Sequence, residues 1–157
     1  MMPESRRHMT DAQTLALVST WQPHLKGSLL APASEGFVEA RRIWNGMIDR
    51  NPALIARCTS SQDVIVAVKL ARKEGLHVSV RGGGHGVAGT AVCQDGLMID
   101  LSPMKKVAVN STQREAVAEP GVLWGEFDRA TEGHGLATTG GQVSHTGCES
   151  MASASWP

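Results

Sequence analysis

The chain has 157 residues, the length of a single domain, of which 41% are hydrophobic and 17 are glycine. Its 15 Lys and Arg balance 15 Asp and Glu, so no basic field exists to bind a nucleic-acid backbone or an anionic membrane surface. No apolar run approaches the roughly 18 residues that span a bilayer, and the start lacks the apolar stretch of a secretory signal, so a cytoplasmic protein is expected.

Residues 1–50 form an N-terminal segment, of which 1–30 are polar and show weak periodicity. They predict a weakly structured segment that holds at most one amphipathic helix, from Asp11 to about Trp21. The clear pattern starts at Asn51, where the run ALIARC at 53–58 predicts a short strand.

A helix is predicted directly after that strand. Ser60 or Ser61 is the expected N-cap, and Gly75 supplies the stop. Apolar residues recur at helical spacing and predict the buried face of this helix, namely Val64, Ile65, Val68 and Ala71.

Strands and a second helix follow along the chain. Alternating or continuous apolar runs predict strands at 76–81, 97–101, 106–110 and 115–119. Pro120 and Gly121 open the second helix, which ends at Gly133 or Gly135. Its predicted apolar face is Leu123, Trp124, Phe127 and Ala130. The order predicts an α+β domain, because a doubly wound parallel sheet needs a helix between nearly every pair of strands.

The three cysteines, Cys58, Cys93 and Cys148, are widely spaced and form no CxxC pair. An odd number without paired spacing predicts neither a disulfide framework nor a thiolate metal site, and no metal is expected. They are interpreted as small buried hydrophobic residues.

A glycine-rich segment at 81–90, RGGGHGVAGT, directly follows a predicted strand. Glycines tolerate positive φ and lack a Cβ, so successive N–H groups can point into one concavity and bind a diphosphate without charged side chains. The alternative is a connecting turn without a ligand.

Residues 84–89 also match G-x-G-x-x-G, with Asp100 near the distance of a ribose-binding acid. A Rossmann site needs a helix to begin at the last glycines, and the intervening TAVCQDG is too short for one. The match is therefore interpreted as accidental, and Asp100 is expected to cap the turn LSPM through its side chain.

Four segments resemble, in order and spacing, the FAD-binding domain of the FAD-linked oxidases. These include the berberine-bridge-like and hydroxynicotine-oxidase-like flavoenzymes of the vanillyl-alcohol-oxidase superfamily. The resemblance covers about 51–147 and implies the first subdomain, and the start of the second, of a PCMH-type FAD-binding domain. Its segments are LHVSVRGGGHGVAGT, GLMIDLSPMKKVAV, AVAEPGVLWGEFDRA and GHGLATTGGQVSHTG.

The resemblance implies two groups of cofactor-binding residues, while catalytic residues stay unassigned. His85 matches the histidine that many members link covalently to the 8α-methyl group of the flavin. Val143 occupies the position where some members have a second, cysteine link, so at most one link is implied. The implied cofactor contacts are Arg81, Gly82, Gly83, Gly84, His85, Gly86, Gly89, Gly140, Gly141, Val143, Ser144, Thr146 and Gly147.

Other residues are given structural interpretations. His134 and His145 have no carboxylate or cysteine at ligand spacing and are expected on the surface or in loops. Trp124 and Phe127 are expected in the core rather than against the flavin. Cys148 is interpreted as a buried or free thiol rather than as a flavin anchor.

Two functions remain open from the sequence. The first is a FAD-linked oxidoreductase, in which an unknown small-molecule donor gives a hydride to flavin N5 and oxygen reoxidises the flavin. Members of the family continue into a substrate domain, whereas 148–157 form an irregular tail here, so the chain is expected to be truncated and incomplete as an enzyme. The second is a non-catalytic remnant that binds FAD weakly or not at all. Neither nucleic acid nor membrane is an expected partner.

Overall fold

The computed structural model describes residues 8–148. Four α-helices and six strands follow one another, with a short 3₁₀ helix at Gln22–His24. In chain order the elements are α1 (Asp11–Trp21), β1 (Ser28–Leu30), α2 (Phe37–Ala40), β2 (Leu54–Arg57), α3 (Ser61–Glu74), β3 (Val78–Arg81), β4 (Leu97–Asp100), β5 (Val107–Asn110), β6 (Glu115–Ala118) and α4 (Trp124–Glu132).

The strands form two separate sheets. A four-stranded sheet has the order β1-β2-β4-β3, in which β4 is parallel to both β2 and β3 while β1 is antiparallel to β2. The hairpin of β5 and β6 is a two-stranded antiparallel sheet of its own. This combination of a mixed sheet, a separate antiparallel hairpin and helices confirms the predicted α+β class.

Both faces of the larger sheet carry a core, because successive side chains of a strand point to opposite sides. On one face, Leu54 of β2 and Leu97 of β4 pack with Leu70 of α3. On the other face, Ile55 and Met98 pack with a separate cluster that includes α2. The central strands β2 and β4 are therefore buried on both sides, which explains their nearly continuous apolar sequences.

The boundaries of α3 agree with the prediction, but its buried face does not. Ser60 caps the helix by accepting the Asp63 N–H at 3.3 Å, and Gly75 ends it with a φ of 64°. The prediction that Ile65 and Val68 are buried is wrong, since they are 47% and 50% exposed. The buried face instead starts at a polar residue and continues at the helical spacing i, i+3, i+4, i+7 and i+8. Its residues are Asp63, Val66, Ala67, Leu70 and Ala71.

Asp63 is a fully buried carboxylate that joins α3 to the N-terminal segment. Its oxygens accept the Lys26 N–H at 2.7 Å, the Gly27 N–H at 3.2 Å, and both the N–H and the hydroxyl of Thr59 at 2.9 Å. Burial alone raises the pKa of this carboxyl, but the hydrogen bonds outweigh it and hold the pKa below the ordinary value. The charged form is thus satisfied inside the protein.

The N-terminal segment contains more than the single helix predicted. Helix α1 is present and begins after Thr10, whose side chain accepts the Gln13 N–H. Strand β1 then extends the sheet and α2 covers its second face, and neither element was predicted. Three residues are too few to show a period of two, which is why the sequence pattern misses β1.

Helix α4 begins three residues after the predicted opening at Gly121. Leu123 is its N-cap, and Glu126 accepts the Leu123 N–H at 2.7 Å. Trp124 is buried, as predicted, and its ring meets that of the half-buried Phe127 edge to face at 5.7 Å. Within residues 8–148, no helix has the length and apolar character needed to cross a membrane.

Candidate functional site

The glycine-rich loop leaves the sheet where three parallel strands end. Arg57, Arg81 and Asp100 are the last residues of β2, β3 and β4 and lie side by side in register. Asp100 accepts the Ser102 N–H at 3.1 Å, which confirms its predicted role in the turn. It also pairs with Arg57 at 3.3 Å. Ligands of open sheets with parallel strands bind at this edge.

The loop runs from strand to strand without a helix. The absence of a helix after Gly89 agrees with the interpretation that the G-x-G-x-x-G match is accidental. Gly84 has a φ of 71° and Gly89 a φ of 67°, values that L side chains rarely adopt. A Cβ on Gly84 would also lie 3.1 Å from Nε of Arg81, whose Nη1 donates to the Ala40 carbonyl at 2.6 Å.

Unused amides in this loop fit a diphosphate. The N–H groups of Gly84, His85 and Gly86 donate to no other residue within 8–148. Gly84 is a buried residue, and a ligand could accept from its N–H, which no residue within 8–148 does. A Cβ on Gly86 would meet nothing within 4 Å, so the backbone there faces open space in which a ligand can approach.

Side chains of the segment 44–50 contact the glycine-rich loop and support it. Asn45 Nδ2 donates to the Val87 carbonyl at 2.9 Å, and Arg50 Nη1 donates to the Gly89 carbonyl at 2.9 Å. The side chain of Ile48 packs so closely on Gly89 that a Cβ there would lie 2.7 Å away. This support could not be predicted from the sequence, because residues 44–50 have no local periodicity that indicates a long-range contact.

The His85 ring is held by three groups. Its Nδ1 lies 2.9 Å from the Gly83 carbonyl oxygen. The Trp44 ring stacks on it with a centroid distance of 6.1 Å and an interplanar angle of 28°. The His145 ring lies 5.2 Å away at 53°. The structure thereby brings together the two segments implied by the resemblance, 81–90 and 140–147.

The second segment is attached to the start of α4. The Trp124 N–H donates to the Thr146 carbonyl at 2.9 Å and the Gly125 N–H donates to the Ser144 carbonyl at 2.8 Å. Gly147 forms a bridge with Leu123. These contacts orient the exposed part of the segment, which includes Gly140, Gly141, Val143, Ser144 and His145.

Glycine is required where this segment crosses Trp124. A Cβ on Gly141 would lie 2.6 Å from the Trp124 ring and 2.8 Å from Oγ1 of Thr146. A Cβ on Gly140 would lie 2.4 Å from the same ring. Trp124 therefore supports the segment from the core side, an arrangement that the sequence analysis did not foresee. His134 lies at an exposed position after α4. The interpretation of His134 and His145 as surface or loop residues agrees with the structure.

An open cleft of about 580 Å³ lies elsewhere, between β6 and α4. Pro120, Phe127, Leu136 and Cys148 are among its lining residues, and neither glycine segment contributes. Cys148 lines this cleft and is half-buried, so it is less buried than predicted. No group of three or more potential metal-ligating side chains occurs among residues 8–148.

Cys58 and Cys93 are buried, as predicted. Burial, and then the charges of Asp63 and Asp100, raise the pKa of the Cys58 thiol to about 12. A thiol that stays protonated is neither a nucleophile nor a metal ligand at neutral pH.

Comparison with known proteins defines the class. Residues 52–150 match the family model of the FAD binding domain. The chain is 34% identical over 117 residues to (R)-6-hydroxynicotine oxidase of Paenarthrobacter nicotinovorans. The aligned residues make up 74% of this chain and 26% of that protein. The protein thus belongs to the FAD binding domain family.

Solved structures agree with this assignment. The crystal structure of 6-hydroxy-D-nicotine oxidase from Arthrobacter nicotinovorans is similar with a TM-score of 0.77 at 33% identity, covering 79% of this chain and 27% of that one. The fold is also shared with BBE-like 1 of Physcomitrella patens, with a TM-score of 0.76 at 24% identity over 92% of this chain and 30% of that one. The chain spans about a quarter of the length of the curated relatives it matches.

Proposed function

We propose that the chain holds FAD on its two glycine segments, with the diphosphate on the amides of 82–89 and the flavin ring against His85 and 140–147. The observation that supports this proposal is the contact of His85 with His145, which unites the two segments at the carboxyl edge of the parallel strands. Unpaired amides at Gly84 and Gly86 supply the donors that a diphosphate needs.

The proposed activity is that of an oxidoreductase acting on a small-molecule donor of unknown identity. FAD supplies the capacity to accept a hydride at N5 and to pass the electrons on to oxygen. The residues described here bind and orient that group. We further propose that turnover requires a substrate-binding part like the remaining three quarters of the relatives, so that this chain alone holds the cofactor without completing the reaction.

We also propose that His85 is the covalent anchor. If FAD binds here, His85 would hold it through an N–C bond to the 8α carbon, and dioxygen would take up the two protons and two electrons lost in forming that bond and become hydrogen peroxide. The imidazole must be neutral to act as the nucleophile. Val143 has no atom able to form a second link, so a single attachment is expected.

Fluorescence of the denatured protein tests the anchor. We expect the purified chain to give a fluorescent band on an acid-treated denaturing gel, and His85→Ala to lose it. His24→Ala is the matched control, since His24 is exposed and far from both segments in sequence. A fluorescent His85→Ala band would refute the anchor. A wild-type chain without fluorescence and without thermal stabilisation by added FAD would instead be a non-catalytic remnant.

The diphosphate position is tested separately with Gly86→Ala. A methyl group at Gly86 meets nothing within 4 Å, and the same holds at Gly133, which makes Gly133→Ala a matched control. In a His85→Ala background, where binding is reversible, we expect Gly86→Ala to weaken FAD binding by roughly tenfold through steric exclusion, about 1.4 kcal/mol. Both variants should melt at the parent temperature. Equal FAD affinity of the two variants would place the diphosphate elsewhere.

A further inference from the structure

We propose that Asn45 is a site of spontaneous deamidation, and that the carboxylate formed there loosens the glycine-rich loop and weakens its binding of FAD. Asn45 precedes Gly46 and lies before the part of the chain that matches the family model. The chemical step is independent of any cofactor. Its effect on FAD rests on the proposed function, because it concerns the loop to which the diphosphate is assigned.

The backbone of Gly46 is open to the reaction. In deamidation the backbone nitrogen of the following residue attacks Cγ of the asparagine. The Gly46 N–H donates to no residue within 8–148, so no hydrogen bond holds its nitrogen back. Gly46 is exposed, and a Cβ there would meet nothing within 4 Å. Because glycine has no Cβ of its own, its backbone can rotate to bring the nitrogen to Cγ.

The side-chain amide of Asn45 is held in a way that favours the attack. Its Oδ1 accepts the Met47 N–H at 3.1 Å. A donor at this oxygen stabilises the negative charge that develops there when the nitrogen adds to Cγ. Met47 is 92% exposed, so water reaches this turn. The turn therefore combines an unblocked nucleophile, a polarised carbonyl group and access for the water that the second step consumes.

The reaction needs water and neither an oxidant nor a reductant. The Gly46 nitrogen forms a bond to Cγ of Asn45, the bond from Cγ to Nδ2 breaks, and ammonia leaves with the proton of the Gly46 nitrogen. Water then opens the cyclic imide at either of its carbonyl groups, which leaves aspartate or isoaspartate at this position. Both products carry a carboxylate where the neutral amide was.

Either product removes a contact with the glycine-rich loop. Asn45 Nδ2 donates to the Val87 carbonyl at 2.9 Å, and a carboxylate has no hydrogen to donate. Two oxygens then face each other and repel. Isoaspartate also lengthens the backbone by routing it through Cβ, which displaces Ile48 and Arg50 from their contacts with Gly89. The loop thereby loses the support that keeps its amides in place.

The first experiment compares the asparagines within the chain. The full chain is incubated at pH 8, and peptide mapping by mass spectrometry follows the replacement of each amide by a carboxylate. We expect Asn45 to react faster than Asn110, which precedes the bulkier Ser111. Asn51 precedes Pro52, whose nitrogen carries no hydrogen, so no imide is expected there.

A substitution at Gly46 tests the reaction path. We expect Gly46→Ala to slow the reaction of Asn45 about tenfold, because a Cβ restricts the backbone rotation that the attack needs. The fold should be kept, since this Cβ has open space around it. Gly133→Ala is the matched control, at another glycine whose Cβ would meet nothing within 4 Å, and should leave the reaction unchanged.

The second experiment measures the consequence for the loop. In the His85→Ala background we expect Asn45→Asp to weaken FAD affinity about tenfold. It should also speed hydrogen exchange of the Gly89 N–H, which donates to the Gly86 carbonyl at 3.1 Å, because the loop opens more often. Asn110→Asp is the control, since it adds the same charge at the exposed end of β5, in the separate hairpin sheet.

Each part of the inference has its own contrary result. A reaction of Asn45 no faster than that of Asn110, or unaffected by Gly46→Ala, would overturn the deamidation site. Equal exchange of the Gly89 N–H in Asn45→Asp and Asn110→Asp would overturn the loosening of the loop. Equal FAD affinity of these two variants would overturn the effect on the cofactor. A parent chain that binds no FAD contradicts the proposed function instead, and hydrogen exchange then decides the effect on the loop.

Discussion

Asp63 shows how a single buried carboxylate organises the chain. It accepts four hydrogen bonds from three residues, two of which belong to the segment before β1. Replacing the charge removes acceptor capacity and leaves buried donors unpaired. We expect Asp63→Asn to lower the free energy of unfolding by about 3 kcal/mol, measured by urea denaturation. Asp128→Asn, at an exposed position of α4, should change it little.

The same residue predicts an acid dependence. Because the folded state holds the pKa of Asp63 below its ordinary value of 3.8, the stabilisation is present above that value and is lost as pH falls towards the folded-state pKa. The loss of stability between neutral pH and pH 3 should therefore be smaller in Asp63→Asn than in wild type. An identical acid profile in both proteins would contradict this account.

The three thiols should differ in reactivity. Cys58 and Cys93 are buried, and the raised pKa of Cys58 keeps its thiol protonated, whereas Cys148 is half-buried beside an open cleft. We expect a disulfide-exchange reagent at pH 8 to label one thiol in the folded protein and three in denaturant. Cys148→Ser should abolish the labelling of the folded protein. Rapid labelling that survives this substitution would contradict the burial of the other two.

At the scale of elements, the strands and α3 were predictable because their sequences carry local periods and caps. The buried face of α3 was not predictable, because a count of apolar residues assigns a carboxylate such as Asp63 to the exposed face. Its hydrogen bonds to Lys26 and Gly27 reverse that expectation, and they come from residues far away in the chain. Strand β1 was missed for a related reason, since it exists through pairing with β2.

Helix α4 offers a test of capping. Glu126 accepts the Leu123 N–H and the Lys105 ammonium, both at 2.7 Å. Burial acts to raise its pKa, but these bonds lower it overall. We expect Glu126→Ala to reduce the free energy of unfolding by about 1 kcal/mol, the usual effect of losing a helix cap, in a chemical denaturation series. Glu132→Ala, exposed at the other end of α4, should leave it nearly unchanged.

For the whole molecule, the site was predictable in its parts but not in its assembly. The glycine content and the strand before it indicated the first loop, and the resemblance indicated the second. The contact of His85 with His145 and the support from Trp44 depend on how distant segments pack, which leaves no mark in local sequence. The segment before Asn51 therefore contributes more to the site than its composition suggests.

Removing that segment tests whether it is a separate unit. A chain starting at Asn51 lacks β1, two of the donors to Asp63 and the support of 44–50 under the loop. We expect this chain to lack a cooperative thermal transition by circular dichroism, and the full chain to show one. A sharp transition retained near the original temperature would instead mean that residues 51–147 fold on their own.

The meeting of His85 and His145 also has a consequence for folding kinetics. These residues lie sixty positions apart, and β4, the β5–β6 hairpin and α4 all intervene. Closing so long a loop carries an entropic cost, and contacts of large sequence separation form slowly. We therefore expect the two glycine segments to meet only after α4 has docked, so that the proposed flavin site forms late as the chain folds.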